Sequence, residues 1–255
     1  MSLVRYELRP PAAILTLCRS DKRNALSRAL IADIDAAIAR AANDSAARCV
    51  IITGEGPAFC AGMDLEELRA SLTAEADVVW ADAQRLAELY DTIYSLPKPT
   101  IAAVNGAAVA GGAGLVTVCD LAVSVPTAKF GYPEVRRGLV AAMVMPHLLR
   151  HVGERVARFM LLSGELIDAA EAMRTGLINQ VVAADALMAT AMSLARACAE
   201  GGPDALATTK ALLKRFSTQA LSVDEGAKAS AAPRLGDECR AGLAAFFEKR
   251  SAPWV

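Results

Sequence analysis

Aromatic residues are scarce in this 255-residue chain, at 5%, although 54% of it is hydrophobic. Alanine and the branched aliphatics must therefore fill its core, which suits helices packed closely on a sheet. Neither charge is in excess: 27 basic residues stand against 28 acidic ones, with no long block of either sign. So balanced a chain has no electrostatic footprint for nucleic acid and no polybasic face for a membrane surface. The six cysteines, at 18, 49, 60, 119, 198 and 239, form no CxxC pair. Thiols scattered in this way fit buried packing in a reducing cytoplasm better than a disulfide framework or a zinc site. The N-terminus carries Arg5, Glu7 and Arg9 without an apolar run, so a signal peptide is not expected.

One stretch, Pro99 to Cys119, lacks charge and is long enough to span a bilayer. Its glycines at 106, 111, 112 and 114, with Asn105 and six alanines, make it only weakly hydrophobic. A buried strand, turn and helix is the expectation there. At about 150 residues per domain, the length predicts one large domain, or one domain plus an appendage. That is enough chain to bury a core without a structural metal.

The apolar pattern predicts strands at Val4–Leu8 and Ala13–Cys18 around a Pro10-Pro11 turn. Leu26, Leu30, Ile31, Ile34 and Ile38 repeat at helical spacing, with Ser27 as the cap. Strands follow at Arg48–Thr53 and Ile101–Val104, with a second amphipathic helix over 75–95 between them. Residues 58–72 read as a loop entering a helix. Leu121–Val125 reads as another strand, Asp168 caps a short helix closed by Gly176, and Val181-Val182 is a last strand. The region 185–250 is almost entirely helical in pattern. The class is α/β with a helical C-terminal appendage.

Three motifs can carry chemistry. Ala58-Phe59-Cys60-Ala61-Gly62-Met63-Asp64-Leu65 and Asn105-Gly106 through Gly114 each read as a small-residue loop between a strand and a helix. Such a loop leaves backbone N–H groups free at a helix start, where the macrodipole adds positive potential. Two of them side by side can aim two N–H groups at one oxygen, an oxyanion hole. A phosphate loop fits poorly, because Gly112 stands where the Walker pattern needs lysine. The third motif, Phe130-Gly131-Tyr132-Pro133-Glu134-Val135-Arg136-Arg137-Gly138, places Glu134 between turn residues. Within reach of an oxyanion hole, Glu134 is a general acid/base.

In this order the motifs resemble those of the crotonase superfamily, the enoyl-CoA hydratases and isomerases, from about Asn24 to Arg250. The resemblance implies a crotonase-like spiral of ββα units over 1–200, holding the CoA site. It implies a helical C-terminal region over 201–255 that builds a homo-trimer or homo-hexamer. The implied substrate is an acyl-CoA thioester, with no metal and no cofactor beyond the coenzyme A it carries. It assigns Glu134 to proton transfer and the N–H groups of Ala61 and Gly111 to the thioester oxygen. Lys22, Arg23, Ala25, Ala61, Gly62, Met63, Asp64 and Leu65 would line the CoA groove. Phe246 and Lys249, in Phe246-Phe247-Glu248-Lys249-Arg250, resemble the helix that reaches a neighbouring subunit's CoA. Gly114 is a departure: well-known hydratases of the family carry a second glutamate there. Single-glutamate members include both double-bond isomerases and hydratases of branched, methylglutaconyl-type CoA esters. The expectation is therefore a hydratase, with a Δ3,Δ2-isomerase or a non-catalytic acyl-CoA-binding paralogue as alternatives.

Other groups have plainer readings. His147 and His151 stand at i, i+4 with Glu154 nearby, but without an HExxH pattern a surface helix is expected rather than a metal. Cys60 and Cys119 have no paired histidine, which favours packing over nucleophilic catalysis. Asp120 reads as a cap or a buried hydrogen-bond partner. A serine peptidase on a related spiral lacks its Ser/His/Asp set.

Overall fold

In the computed structural model, residues 2–217 and 223–250 are described. The chain opens with a hairpin, β1 (Val4–Arg9) and β2 (Ala12–Leu17), in which Val4 faces Leu17. Helix α1 (Arg28–Asn43) starts where the Ser27 side chain accepts a hydrogen bond from the Leu30 N–H, and it buries Leu30, Ile31, Ile34 and Ile38. Strand β3 (Cys49–Gly54) is a continuous buried run, as a central parallel strand should be. A short strand, β4 (Ala58–Cys60), and α2 (Leu65–Ala70) follow. Helix α3 (Ala76–Ser95) buries Val79, Ala83, Leu86, Tyr90 and Ile93, one stripe at helical spacing.

Three strand pairs make the spiral. After β3 and β4 come β5 (Thr100–Val104) and β6 (Ala107–Val109), then α4 (Gly111–Val118). The third pair is β7 (Leu121–Ser124) and β8 (Lys129–Gly131). The first member of each pair joins a six-stranded sheet, β1-β2-β3-β5-β7 and a final strand. The second joins a four-stranded sheet. Helix α5 (Met145–Ser163), broken at Gly153, leads to β9 (Ile167–Asp168), which closes the small sheet against β8. The Asp168 side chain caps α6 (Ala169–Arg174), and β10 (Gln180–Val181) completes the large sheet beside β7. Apart from the β1–β2 and β8–β9 pairs, neighbouring strands run parallel. The spiral expected from the motifs is the fold found.

One expectation needs correction. The glycine-rich runs are not simple loops, because each contains a strand, β4 or β6. Three residues of mostly alanine are too short and too uniform to show a two-residue period. The uncharged stretch from Pro99 to Cys119 is a buried strand, β5, and a buried helix, α4, as expected, with the short β6 between them. Among the described residues, no helix is long and apolar enough to cross a membrane.

The tail consists of α7 (Leu187–Ala199), α8 (Pro203–Phe216), α9 (Val223–Ala231) and α10 (Asp237–Phe247). Within the region 201–255, residues 218–222 and 251–255 lie outside the described ones. Ala227 and Ala231 of α9 pack on Val79, Ala83 and Ala87 of α3. Cys239 and Leu243 of α10 bury Leu68 of α2. Helix α10, expected to reach a neighbouring subunit, is folded against this chain's own α2 by that apolar contact.

Candidate active site

After β4 the backbone pairs with Leu26: its N–H donates to the Gly62 carbonyl at 2.7 Å, and its carbonyl accepts from the Asp64 N–H at 3.0 Å. Alternation along an extended chain then turns the N–H and C=O of Met63 to the opposite side. The Met63 N–H has no acceptor among the described residues. Ala61, in contrast, donates its N–H to the Arg23 carbonyl at 3.0 Å. The expected donor is therefore already bonded, and the free amide of this loop belongs to Met63.

The second loop turns at Ala110, whose backbone (φ 53°, ψ −126°) is left-handed and whose N–H donates to the Gly131 carbonyl. That turn opens α4 at Gly111, whose N–H has no acceptor among the described residues. The two loops touch through main chain. A Cβ on Gly62 would stand 3.1 Å from the Gly111 nitrogen, and one on Gly112 only 2.0 Å from the Cys60 carbonyl oxygen. Any side chain at 112 would push the loops apart.

Strand β8 delivers the third component. Beyond the buried Tyr132, a 3₁₀ turn over Pro133–Arg137 presents Glu134 to the same cavity. Its Oε2 is buried without a hydrogen-bond partner. Burial pushes the carboxyl up from 4.5 to about 7, only partly offset by its own backbone N–H and the nearby Arg137.

The cavity has a volume of about 440 Å³. Of the expected groove residues, Lys22, Arg23, Ala25, Ala61, Met63, Asp64 and Leu65 line it, with Gly111 and Glu134. Lys22 pairs with Glu66 at 2.8 Å, and Asp64 pairs with Arg19 at 2.5 Å while capping α2. Gly62 lies behind the wall, against Val109 and Ala110. Gly114 does not reach the cavity either. A Cβ there would meet Val144 Cγ1 at 2.4 Å and the Tyr90 hydroxyl at 2.8 Å, so those side chains fill the place of the family's second glutamate. Phe246 lies outside the lining, under the Arg137 guanidinium, and Lys249 is exposed beyond α10. Phe247 is the tail aromatic that does line this chain's own cavity.

The profile of the enoyl-CoA hydratase/isomerase family matches residues 11–255. The chain belongs to this family. A mevalonyl-coenzyme A hydratase of Aspergillus fumigatus is 38% identical over 251 residues, 96% of this chain and 92% of that one. A 2,3-dehydroadipyl-CoA hydratase of Escherichia coli is 34% identical over 241 residues, 93% of this chain and 92% of that one. The crystal structure of an enoyl-CoA hydratase from Mycobacterium avium matches all of both chains, with TM-score 0.86 and 35% identity.

Several wall residues of this enoyl-CoA hydratase/isomerase family member escape sequence reading: Leu86, Tyr90, Arg137, Met143, Val144 and Arg234. Leu86 and Tyr90 share the buried stripe of α3 and read as ordinary core. Nothing in the sequence around Arg234 sets it apart from a surface arginine. The remaining candidates are engaged elsewhere. His147 is half-buried rather than on a surface, edge-on to Tyr94, and its Nδ1 lies 3.1 Å from Arg150. His151 Nε2 contacts the Thr117 carbonyl at 2.9 Å, and Glu154 pairs with Arg158. Among the described residues, no three His, Cys, Asp or Glu groups gather as a metal site would need. Burial pushes both the Cys60 and Cys119 thiols up to about 12, which leaves them protonated and inert. Asp120 Oδ2 accepts from the Thr100 N–H and hydroxyl and pairs with Lys210.

Proposed function

We propose that the protein hydrates a 2-enoyl-CoA thioester, with Glu134 as its single proton-transfer group. The carrying observation is the buried, unpartnered Oε2 of Glu134 on a cavity also lined by Met63 and Gly111, whose N–H groups are free among the described residues. Two amides aimed at the thioester oxygen stabilise the negative charge that it gains in an enolate. The β-carbon then accepts water, and the α-carbon becomes basic. Glu134 as carboxylate takes the proton of the attacking water and, once protonated, delivers it to the α-carbon. A value near 7 lets one group do both at neutral pH. Asp21, Asp64 and Glu66 also line the cavity, but Asp64 and Glu66 are committed to Arg19 and Lys22, and Asp21 is exposed on the turn Ser20–Lys22.

One observation favours a second reading. Tyr90 and Val144 fill the space over Gly114, so no second carboxylate can hold a water there. The same enolate and a single glutamate also move a 3,4 double bond to the 2,3 position. Crotonyl-CoA and a 3-enoyl-CoA, followed by enoyl absorbance, separate the two. Loss of absorbance with crotonyl-CoA is hydration, and gain with the 3-enoyl ester alone is isomerisation. Binding with neither change marks a non-catalytic acyl-CoA-binding protein and overturns the proposal.

The reading extends to assembly as a homo-trimer or homo-hexamer. Phe159 and Leu162 on α5 are supporting features, since both are large, apolar and more than half exposed in the single chain.

A further inference from the structure

Hydration as described has no use for Arg234, yet this arginine stands in the cavity wall. It lies between α9 and α10 and is 4% exposed. Its Nη2 donates to Met63 Sδ at 3.2 Å and to Ser230 Oγ at 3.1 Å. Both partners are neutral. Nε and Nη1 have no partner among the described residues. The carboxylate that acts most strongly on Arg234, Asp82, is gripped by Arg28 at 2.7 and 2.5 Å and lies 3.6 Å from Arg85. Arginine does not escape burial by losing its proton, so among the described residues this cation stands without a counter-ion of its own. Such a charge is costly unless something pairs with it.

Its position indicates what that partner is. Lys22 and Arg23 reach the cavity beside Ala61 and Asp64, on the β4 side of the paired amides. Arg234 reaches it from the packed α3–α9 side, in the company of Tyr90. The rest of that wall carries no charge: Leu86, Met143 and Val144 are apolar, and Tyr90 and Ser230 are neutral. A purely alkyl acyl group would leave the guanidinium unpaired, and a hydroxyl would offer an acceptor but no charge. A carboxylate matches the planar fork with two parallel acceptors and the opposite sign.

We propose that Arg234 binds a carboxylate on the acyl group, making the substrate a carboxylated 2-enoyl-CoA thioester. The proposal rests on the hydration reading above and deepens it. The test compares the 2-enoyl-CoA monothioesters of five- and six-carbon diacids with apolar 2-enoyl-CoA esters of equal length. The wild type should favour a diacid ester at least tenfold in kcat/KM. Arg234→Met should lose about 10- to 100-fold on that ester, the range for a hydrogen-bonded charge, and stay within about threefold on the apolar one. Arg234→Lys should keep part of the preference. Competition binding of glutaryl-CoA against pentanoyl-CoA gives a readout free of catalysis, so loss of hydration alone leaves it decisive. Equal losses on both ester classes would assign Arg234 to holding Met63 and overturn the proposal. So would equal binding of the two saturated esters, or a wild-type preference for the apolar chain. Should Arg234→Met not fold, the wild-type preference and the lysine variant decide.

Discussion

The Tyr90 hydroxyl donates to the Gly111 carbonyl at 2.8 Å and would stand 2.8 Å from a Cβ placed on Gly114. One phenol thus fixes the first turn of α4 and fills the space above its fourth residue. Gly114→Ala should strain the molecule rather than remove a catalytic group. Overpacking of this kind costs about 1–3 kcal/mol, measurable by denaturant unfolding. Tyr90→Phe should relieve part of it, giving a favourable coupling in the double variant. A Gly114→Ala protein as stable as its parent would show that α3 and Val144 leave room.

Glu134→Gln keeps the shape of the side chain and removes its proton chemistry. Turnover should fall by about 10²–10⁴-fold. The Michaelis constant should change little, because the amides and the CoA groove are untouched. Exchange of the substrate α-proton with deuterated solvent should slow in parallel. Turnover and exchange both within threefold of the parent would make Glu134 a loop residue.

The same carboxyl makes stability depend on pH. Folding raises it from 4.5 to about 7, so between those values the folded protein binds more protons than the unfolded chain. Stability must then fall as pH rises through that window. The size of the shift corresponds to about 3 kcal/mol, constant above pH 7 and absent below pH 4. Glu134→Gln should flatten this slope in unfolding titrations. In kinetics, kcat/KM of the parent should rise with pH around an apparent value near 7, because the carboxylate form acts as base.

Replacing the Met63 amide by an ester deletes one donor without altering a side chain. An oxyanion-hole donor contributes about 10²–10³-fold to turnover. The same replacement at Ala61 should instead weaken folding, by loss of the bond to the Arg23 carbonyl. Reversed outcomes at the two positions would return the role to Ala61.

Light scattering tests the assembly. A trimer or hexamer should persist at dilution, and Leu162→Lys with Phe159→Lys should dissociate it. A fully active monomer at all concentrations would contradict the assignment.

Legibility from sequence differed by feature. The Ser27 cap with the Leu26–Ile38 repeat suffices to place α1, and the apolar runs of β3 and β5 stand between clear punctuation. The glycine motifs locate the two loops that bring the amides together, but composition cannot show which amide is free. That depends on Leu26, distant in sequence, whose pairing with Met63 decides which way each N–H points. Glu134 carries a motif, whereas its raised proton affinity comes from burial beneath several elements. Arg234 carries none. Only the packing of α9 on α3 turns an ordinary tail arginine into part of a wall.

The contact between Gly112 and the Cys60 carbonyl works as a mechanical stop. Two main chains rest on each other with no side chain between, so the spacing of the two amides is set by incompressible backbone. The wall residues Leu86, Met143, Val144 and Arg234 come from segments that this stop does not involve. Chemistry and selectivity are therefore adjustable apart: the walls can be recut for a new acyl group while the charge-stabilising gauge holds its setting.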